Sequence, residues 1–266
     1  MEKRGDFMAT KYPIILVHGV ALKEKRYFRA FGKIQSELTK RGYEVYIADT
    51  DAFGTVESNS RQLKDYVEKI LDATGAEKVN LIGHSKGGLD SKEMILNLGM
   101  EDKVASLTTL CTPHKGSIIA SGIWGLPIPI KKLYAGAIDL FYKHVFGDEH
   151  PDSMTVCQQL CHIDESMETI GFTGKVYCQS YSSTLKSGKD CFLMALPMRI
   201  YKHWTGLEND GMVSTESAKF GEYRGDCLGE SISHLQIVDL LAKPDSRDDI
   251  YDFYESICRE LAEKGM

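Results

Sequence analysis

The stretch that decides the fold is KVNLIGHSKGGL, residues 78–89. Its apolar first half is typical of a buried strand, and its glycine-rich end is typical of the start of a helix. Between the two halves lies a G-x-S-x-G pattern centred on Ser85. The pattern alone is common, but a nucleophilic serine on a sharp turn requires this order of strand, turn and helix. The stretch therefore predicts Ser85 as a nucleophile.

The sequence around this stretch alternates between runs of strand length and stripes of helical spacing. Phe31, Ile34 and Leu38, for example, recur at the spacing of one helix face. Such alternation is typical of the α/β class, with a mostly parallel central sheet and helices on both faces. We expect one domain, residues 1–266. Strands are predicted at 12–17, 43–48, 78–83, 104–110 and 175–181, and helices at about 28–42, 60–75, 87–98 and 246–261.

The alternation stops at about residue 117 and resumes at about 172. The segment between holds an unusually apolar run that includes Ile123, Trp124 and Leu126, interrupted by two prolines. Proline in a helix interior removes a hydrogen bond and clashes with the preceding turn, so this run cannot be one regular helix. We interpret 117–172 as a helical insertion over the sheet, with ordinary core helices as the alternative. The three apolar residues are candidate contacts for an apolar substrate.

The whole chain excludes several classes of protein. Its net charge of −6 lacks the basic footprint that a nucleic acid partner requires. No apolar stretch reaches the roughly 18 residues of a membrane span, and the charged first residues do not resemble a signal peptide. Seven cysteines without a CxxC pair are typical of reduced thiols. We expect a cytoplasmic protein, or a secreted one if a signal was removed, and leave the oligomeric state open.

A serine nucleophile needs donors for the negative oxygen of its tetrahedral intermediate. The first is expected to be the backbone N–H of Lys86, directly after the nucleophile, and the second that of Val20, after the first strand. Gly19 would let the backbone there approach the substrate closely. For the side chain of Lys86 the sequence leaves two alternatives, a place beside the oxyanion or a place in water.

The same serine needs an imidazole to accept its proton and a carboxylate to orient that imidazole. In this strand–turn–helix arrangement the chain order is Ser, then Asp or Glu, then His. His234 follows the later carboxylates and is the expected base. Asp210, in an Asn-Asp-Gly turn, is the favoured acid, with Asp226 and Glu208 as alternatives.

Four groups of residues closely resemble the bacterial triacylglycerol lipases of the α/β-hydrolase superfamily. They are YPIILVHG at 12–19, KVNLIGHSxGG at 78–88, TPHxGS at 112–117 and NDGMVS at 209–214. The resemblance covers most of the chain and is weakest over 118–172. It implies the α/β-hydrolase fold, a lid over an acyl pocket, a triad of Ser85, Asp210 and His234, and oxyanion donors at Val20 and Lys86.

Three departures from the family pattern bear on the site. Lys86 stands where the family usually has glutamine, which keeps the backbone donor but changes the side chain near it. Gln236 stands where the family often has a calcium-binding aspartate, although Asp190 could be a remnant calcium ligand. We therefore expect no cofactor and no metal site. The relatives are mostly secreted and longer, which argues against bulk fat as the substrate.

These observations favour a carboxylic ester hydrolase, a lipase or carboxylesterase that works through an acyl-enzyme. Its expected partners are a small-molecule ester or lipid substrate and, through the lid, a transient lipid surface. An acyltransferase with the same triad is the nearest alternative, and a non-catalytic binding protein of the same fold is an alternative from another class. No G-x-G-x-x-G or P-loop follows the first strand, which argues against a nucleotide-binding enzyme.

Overall fold

A computed structural model of the protein describes residues 9–24, 29–161 and 174–266. Its strands are β1 (Ile14–Val17), β2 (Val45–Ile47), β3 (Val79–His84), β4 (Val104–Leu110), β5 (Tyr177–Thr184) and β6 (Glu222–Ser231). They form one sheet in the order β2-β1-β3-β4-β5-β6. Every adjacent pair in this sheet is parallel, and β1 lies between β2 and β3 with Ile15 opposite Tyr46 and Leu81.

The helices follow the strands along the chain. They are α1 (Ile34–Lys40), α2 (Val56–Thr74), α3 (Lys86–Asn97), α4 (Ile118–Trp124), α5 (Ile128–Phe141), α6 (Ser153–Cys161), α7 (Phe192–Thr205) and α8 (Arg247–Glu263). A π-helical turn, Tyr142–Phe146, extends α5. Among the described residues, no helix combines the length and apolarity that crossing a bilayer would take.

Two hydrophobic cores lie on opposite faces of the sheet, and β1 contributes to both. Ile14 and Leu16 pack with side chains of α1 and α8, whereas Ile15 and Val17 pack with side chains of α2 and α3. The side chains of β1 alternate between the two cores because successive side chains of a strand point to opposite faces of the sheet. All four side chains are fully buried, which is why the strand is continuously apolar. The α/β prediction, with helices on both faces, is confirmed.

Residues 117–161, which we call the cap segment, leave the sheet after β4 and contain α4, α5 and α6. Pro127 precedes α5 and Pro129 is its second residue, so the two prolines separate α4 from α5 as expected. The rest of the predicted insertion, 162–173, lies outside the described residues. That the cap segment serves as a lid stays a prediction.

Two elements had no counterpart in the sequence-based prediction. Strand β6 contains two glycines and several charged residues and has no apolar run. It lies at the edge of the sheet and pairs with β5 alone, so it does not need to be apolar on both faces. Helix α7 contains Pro197, which obscures its helical pattern. Other boundaries differ by a few residues: α1 begins at Ile34 instead of about residue 28, and α2 begins at Val56 instead of about residue 60.

Candidate active site

The turn between β3 and α3 places Ser85 at the carboxyl edge of the sheet. Its backbone has φ 53° and ψ −129°, a conformation that costs energy for a residue with a side chain. The crossing of strand and helix is close: a Cβ on Gly83 would lie 2.7 Å from the Cα of Gly88, and one on Gly87 would lie 2.3 Å from the carbonyl oxygen of Val17. Both glycines of the motif are therefore required by packing.

Ser85 is half-buried and lines a cavity of about 480 Å³ that is also lined by Val20 and His234. The loop after β1 lies directly against the serine, because a Cβ on Gly19 would be 2.7 Å from the Cβ of Ser85. Lys86 is the first residue of α3. The first N–H groups of a helix have no acceptor within the helix, and they carry the positive end of its dipole. The two backbones that the sequence names as oxyanion donors thus flank Ser85.

His234 is held by Asp210 through both side chain and backbone. Its Nδ1 lies 2.7 Å from Oδ2 of Asp210, and its backbone N–H donates to the carbonyl oxygen of Asp210 at 3.0 Å. The other carboxylate oxygen, Oδ1, accepts from the N–H groups of Met212 and Val213 at 2.8 Å each. The carboxylate is nearly inaccessible to solvent, with 1% of the residue exposed. Such a partner fixes the imidazole ring with its Nδ1–H toward the acid, leaving Nε2 as the acceptor.

The alternative acids are engaged elsewhere. Asp226 accepts hydrogen bonds from the hydroxyl groups of Ser182 and Thr184 on the neighbouring strand β5. Glu208 is exposed and forms an ion pair with Lys202 at 2.6 Å. Neither carboxylate therefore serves His234, and the geometry singles out Asp210.

Two further side chains contact the His–Asp pair and were not identified from the sequence. Ser183 donates its hydroxyl to Oδ2 of Asp210 at 3.3 Å. His84, just before the serine, donates from Nε2 to the carbonyl oxygen of His234 at 3.0 Å, and the two rings lie 4.6 Å apart. Burial lowers the pKa of His84 well below its usual value, so the ring is neutral. The position of His84 directly before Ser85 was the sequence signal that could have identified it.

The side chain of Lys86 takes neither of the two places that the sequence left open. It is 1% exposed and donates to Oδ1 of Asp90, one turn along α3, at 2.6 Å. Asn59 donates to the other oxygen of that carboxylate at 3.2 Å. Burial lowers the pKa of Lys86 and raises the pKa of Asp90 to about 6, while each partner acts in the opposite direction. The lysine is thus part of a buried ion pair beneath the loop.

The cavity extends from Ser85 into the cap segment and is almost entirely apolar. Ile123, Trp124 and Leu126, the residues named from the sequence, all contribute to its wall. Lys131 donates to the carbonyl oxygen of Trp124 at 2.6 Å, and its ammonium lies 4.0 Å from the centre of the indole ring. The wall is completed by residues such as Phe53, Ile119, Tyr134, Ile138, Met154, Leu160, Met194 and Leu235.

At the position where the family often binds calcium, hydrogen-bond donors from Gln236 and Lys243 stand in place of oxygen ligands. Gln236 donates its amide N–H to the carbonyl oxygen of Asp190 at 3.1 Å, and the ammonium of Lys243 lies 3.4 Å from Oδ1 of Asp190. Ca²⁺ binds oxygen ligands, so a lysine ammonium paired with the remaining carboxylate does not fit a calcium site.

A second group of potential metal ligands lies beside the candidate site. Side-chain ligand atoms of Cys111, Asp210 and His234 lie within 4.8 Å of one another. Hydrogen bonding with Cys227 and burial raise the pKa of Cys111 well above its usual value. A cysteine binds a metal ion as its thiolate, which the raised pKa of Cys111 disfavours. Asp210 and His234 already bond each other, so these three residues do not fit a metal site either.

Comparison with known proteins agrees with this geometry. Residues 12–126 match the family model described as the alpha/beta hydrolase fold. A triacylglycerol lipase of Pseudarthrobacter phenanthrenivorans is 45% identical over 119 residues, which are 43% of this chain and 37% of that one. Triacylglycerol lipase 2 of Saccharomyces cerevisiae is 28% identical over 262 residues, or 88% of this chain and 73% of that one.

The fold also matches solved structures. Lipase BlEst2 of Bacillus licheniformis in its mature form superimposes with a TM-score of 0.63 at 21% identity, covering 91% of this chain and 92% of that one. The aligned part of the chain spans about a third of the length of the bacterial lipases that it matches. The motifs, the parallel sheet and these matches together show the α/β-hydrolase fold, and residues in the first half of the chain closely resemble triacylglycerol lipases.

Proposed function

We propose that this protein is a serine hydrolase that cleaves carboxylic esters with apolar acyl chains, as a lipase or carboxylesterase. One observation carries the proposal: His234 bonds a buried Asp210 at 2.7 Å and lines the same cavity as Ser85. This is the relation that an acyl-transferring serine needs between its nucleophile, its base and the acid that orients the base.

In the proposed reaction, Nε2 of His234 takes the proton of Ser85 Oγ while this oxygen bonds to the ester carbonyl carbon. The imidazolium then gives the proton to the leaving alcohol as its bond to carbon breaks, which leaves an acyl-enzyme. In the second half of the reaction, His234 takes a proton from water while the water oxygen bonds to the acyl carbon. The bond from this carbon to Ser85 Oγ then breaks as His234 returns the proton to Oγ, and the carboxylic acid is released. Asp210 stays ionised and stabilises the imidazolium. No cofactor enters this scheme.

The negative oxygen of each tetrahedral intermediate would be held by the backbone N–H groups of Val20 and Lys86. Both backbones flank Ser85, and the second begins α3, where the helix dipole favours negative charge. The Lys86 ammonium has no part in this, because it is bonded to Asp90.

The acyl chain would lie in the cavity beneath the cap segment. Ile123, Trp124 and Leu126 supply apolar surface there, and each buried methylene gains about 0.8 kcal/mol over its place in water. A wall with few polar groups favours an acyl chain of several carbons over acetate. In this proposal the cap segment acts as a lid and makes transient contact with a lipid surface.

The function is tested with a series of p-nitrophenyl esters from acetate to palmitate. We expect hydrolysis with a maximum of kcat/KM above acetate, and no hydrolysis by Ser85→Ala that exceeds the uncatalysed rate. A fluorophosphonate should label Ser85 in the wild type and leave the variant unlabelled. Absence of turnover on every ester would refute the hydrolase, and equal labelling of both proteins would show that another serine is the nucleophile.

A further inference from the structure

Helix α7 has an apolar face that no part of the described chain covers. Met194, Ala195, Met198 and Tyr201 point inward and are buried. On the outer side Phe192 is 92% exposed, Leu193 60% and Leu196 66%. The outward side of a surface helix is normally polar, and adjoining exposed apolar side chains mark a site of interaction.

The same side of α7 is basic. Residues 186–205 contain four lysines or arginines and one aspartate, in a chain whose net charge is −6. The aspartate, Asp190, is already paired with Lys243. Lys189 and Arg199 are exposed, and Arg199 follows Phe192 by seven residues, which puts both on one stripe of the helix. Exposed positive charges therefore lie beside the most exposed apolar residue of the described chain, Phe192.

The inward side of α7 contributes to the wall of the cavity, and α7 packs against α4 of the cap segment. Met194 of α7 lines the cavity together with Trp124 of α4, and Trp204 packs against Gly122, where an added Cβ would lie 3.4 Å from the indole ring. The neighbouring cap segment continues the pattern with exposed apolar residues that include Ile128, Leu133, Leu140 and Phe141. The exposed apolar residues of α7 and of the cap segment thus lie on neighbouring elements of the structure.

We propose that α7 docks the protein onto an anionic lipid surface. Phe192, Leu193 and Leu196 enter the acyl region, while Lys189 and Arg199 contact headgroup phosphates. Aromatic and aliphatic side chains with flanking cations are the pattern of helices that lie in the membrane interface, and juxtaposed basic residues favour anionic headgroups. The inference needs no ester hydrolysis, and binding can be measured when hydrolysis is absent.

The test is vesicle flotation with Ser85→Ala protein, so that the lipid stays intact. Phosphatidylcholine vesicles are compared with vesicles in which roughly one quarter of the lipid is phosphatidylglycerol. We expect binding to require phosphatidylglycerol and to weaken as salt is raised. Lys189→Gln with Arg199→Gln should weaken it roughly 25-fold, about fivefold per charge. Phe192→Ser should weaken it roughly ten- to a hundredfold, and Phe192→Leu should retain most of it.

Lys103→Gln is the control for loss of a positive charge elsewhere on the surface, because Lys103 is exposed and precedes β4, at the opposite end of the strands from Ser85. It should bind as the parent does. Equal binding to both kinds of vesicle, or no effect of Phe192→Ser, would overturn the proposal. A dimer seen by sedimentation and lost in Phe192→Ser, without vesicle binding, would mean that a second copy covers α7. In the wild-type background, the α7 variants should hydrolyse soluble short-chain esters as before, which separates docking from catalysis.

Discussion

The charge of Lys86 is balanced within its own helix by Asp90, one turn along, and this pair explains how a lysine can follow a reactive serine. A free ammonium beside the serine would bind anions and alter the base. Here both groups are 1% exposed or less and bond each other at 2.6 Å. The pair therefore keeps the Lys86 ammonium bonded to Asp90 in the protein interior, and only the backbone of Lys86 remains as a candidate oxyanion donor.

Removing one member of this pair should lower the free energy of unfolding strongly, and removing both members should lower it much less. In Lys86→Met the carboxylate of Asp90 stays buried without its cation, so we expect the free energy of unfolding to fall by about 3–5 kcal/mol. Replacing both, in Lys86→Met/Asp90→Leu, should restore most of the loss, because neither charge is then desolvated. Urea unfolding of the three proteins measures this. A double variant as unstable as the single one would contradict it.

The acid can be identified by an exchange that preserves shape. Asp210→Asn keeps the side-chain volume but cannot stabilise the imidazolium, so kcat should fall by roughly 10⁴-fold with little change in melting temperature. Asp226→Asn is the matched control, since that carboxylate bonds Ser182 and Thr184 on β5. It should keep kcat within a few-fold. The opposite ranking of the two variants would make Asp226 the acid.

Residues that belong to a local sequence motif could be identified from the sequence. Residues whose contacts come from distant parts of the chain could not. Ser85 and the two glycines follow from the strand–turn–helix order, and His234 follows from chain order. The Lys86 side chain bonds Asp90, and the other oxygen of that carboxylate accepts from Asn59 in α2, which approaches only in the folded chain. Ser183 meets Asp210 in the same way, from an adjacent strand.

At the scale of elements, the cap segment is attached firmly by the residues that precede α6. Asp148 accepts from the buried ammonium of Lys23 at 3.0 Å, and Lys23 also reaches Asp51 at 3.3 Å. Asp51 in turn accepts from the backbone N–H groups of Glu149 and His150. By contrast, α5 has no buried residue. A movement of the cap segment that admits substrate would therefore involve α4 and α5 and leave the region near Asp148 in place.

Within the cap segment, Trp124 should select for acyl length. Trp124→Ser removes apolar wall from the cavity, so kcat/KM should fall more for octanoyl than for acetyl esters, by roughly tenfold or more, at about 0.8 kcal/mol for each methylene that loses its contact. The other tryptophan, Trp204, lies on α7 and is 58% exposed. Trp204→Ser is therefore the matched control and should leave the octanoyl-to-acetyl ratio unchanged. Equal losses on both esters in Trp124→Ser would place the acyl chain elsewhere.

Elements were predictable where periodicity is strong. β3, β4 and α8 appear within two residues of their expected bounds, because each is flanked by clear turn or capping signals. Helix α7 was hidden because its exposed side is apolar and its interior holds Pro197. A helix whose outer side is apolar lacks the contrast between faces on which sequence-based prediction depends, and that same property makes it the candidate docking surface.

At the scale of the whole molecule, stability rests on two cores that sandwich one parallel sheet. Strands β1 and β3 supply both cores, and the candidate site lies at the sheet's carboxyl edge, where the loops after β1 and β3 meet. Open parallel sheets bind ligands at this edge. In the proposed function, this arrangement would hold Ser85 and the backbone of Lys86 on rigid elements and would leave substrate selection to the cap segment.

The same architecture should be independent of calcium. Gln236 and Lys243 both donate to Asp190, so the loop that follows His234 is tied to the loop before α7 by hydrogen bonds and charge. We therefore expect EDTA to lower the melting temperature by less than about 2 °C, which corresponds to less than about 1 kcal/mol for a chain of this size, and to leave ester hydrolysis unchanged. Differential scanning calorimetry with EDTA, and again with added calcium, measures the effect. A fall of many degrees that calcium reverses would mean that other oxygen ligands rebuild the site despite Lys243.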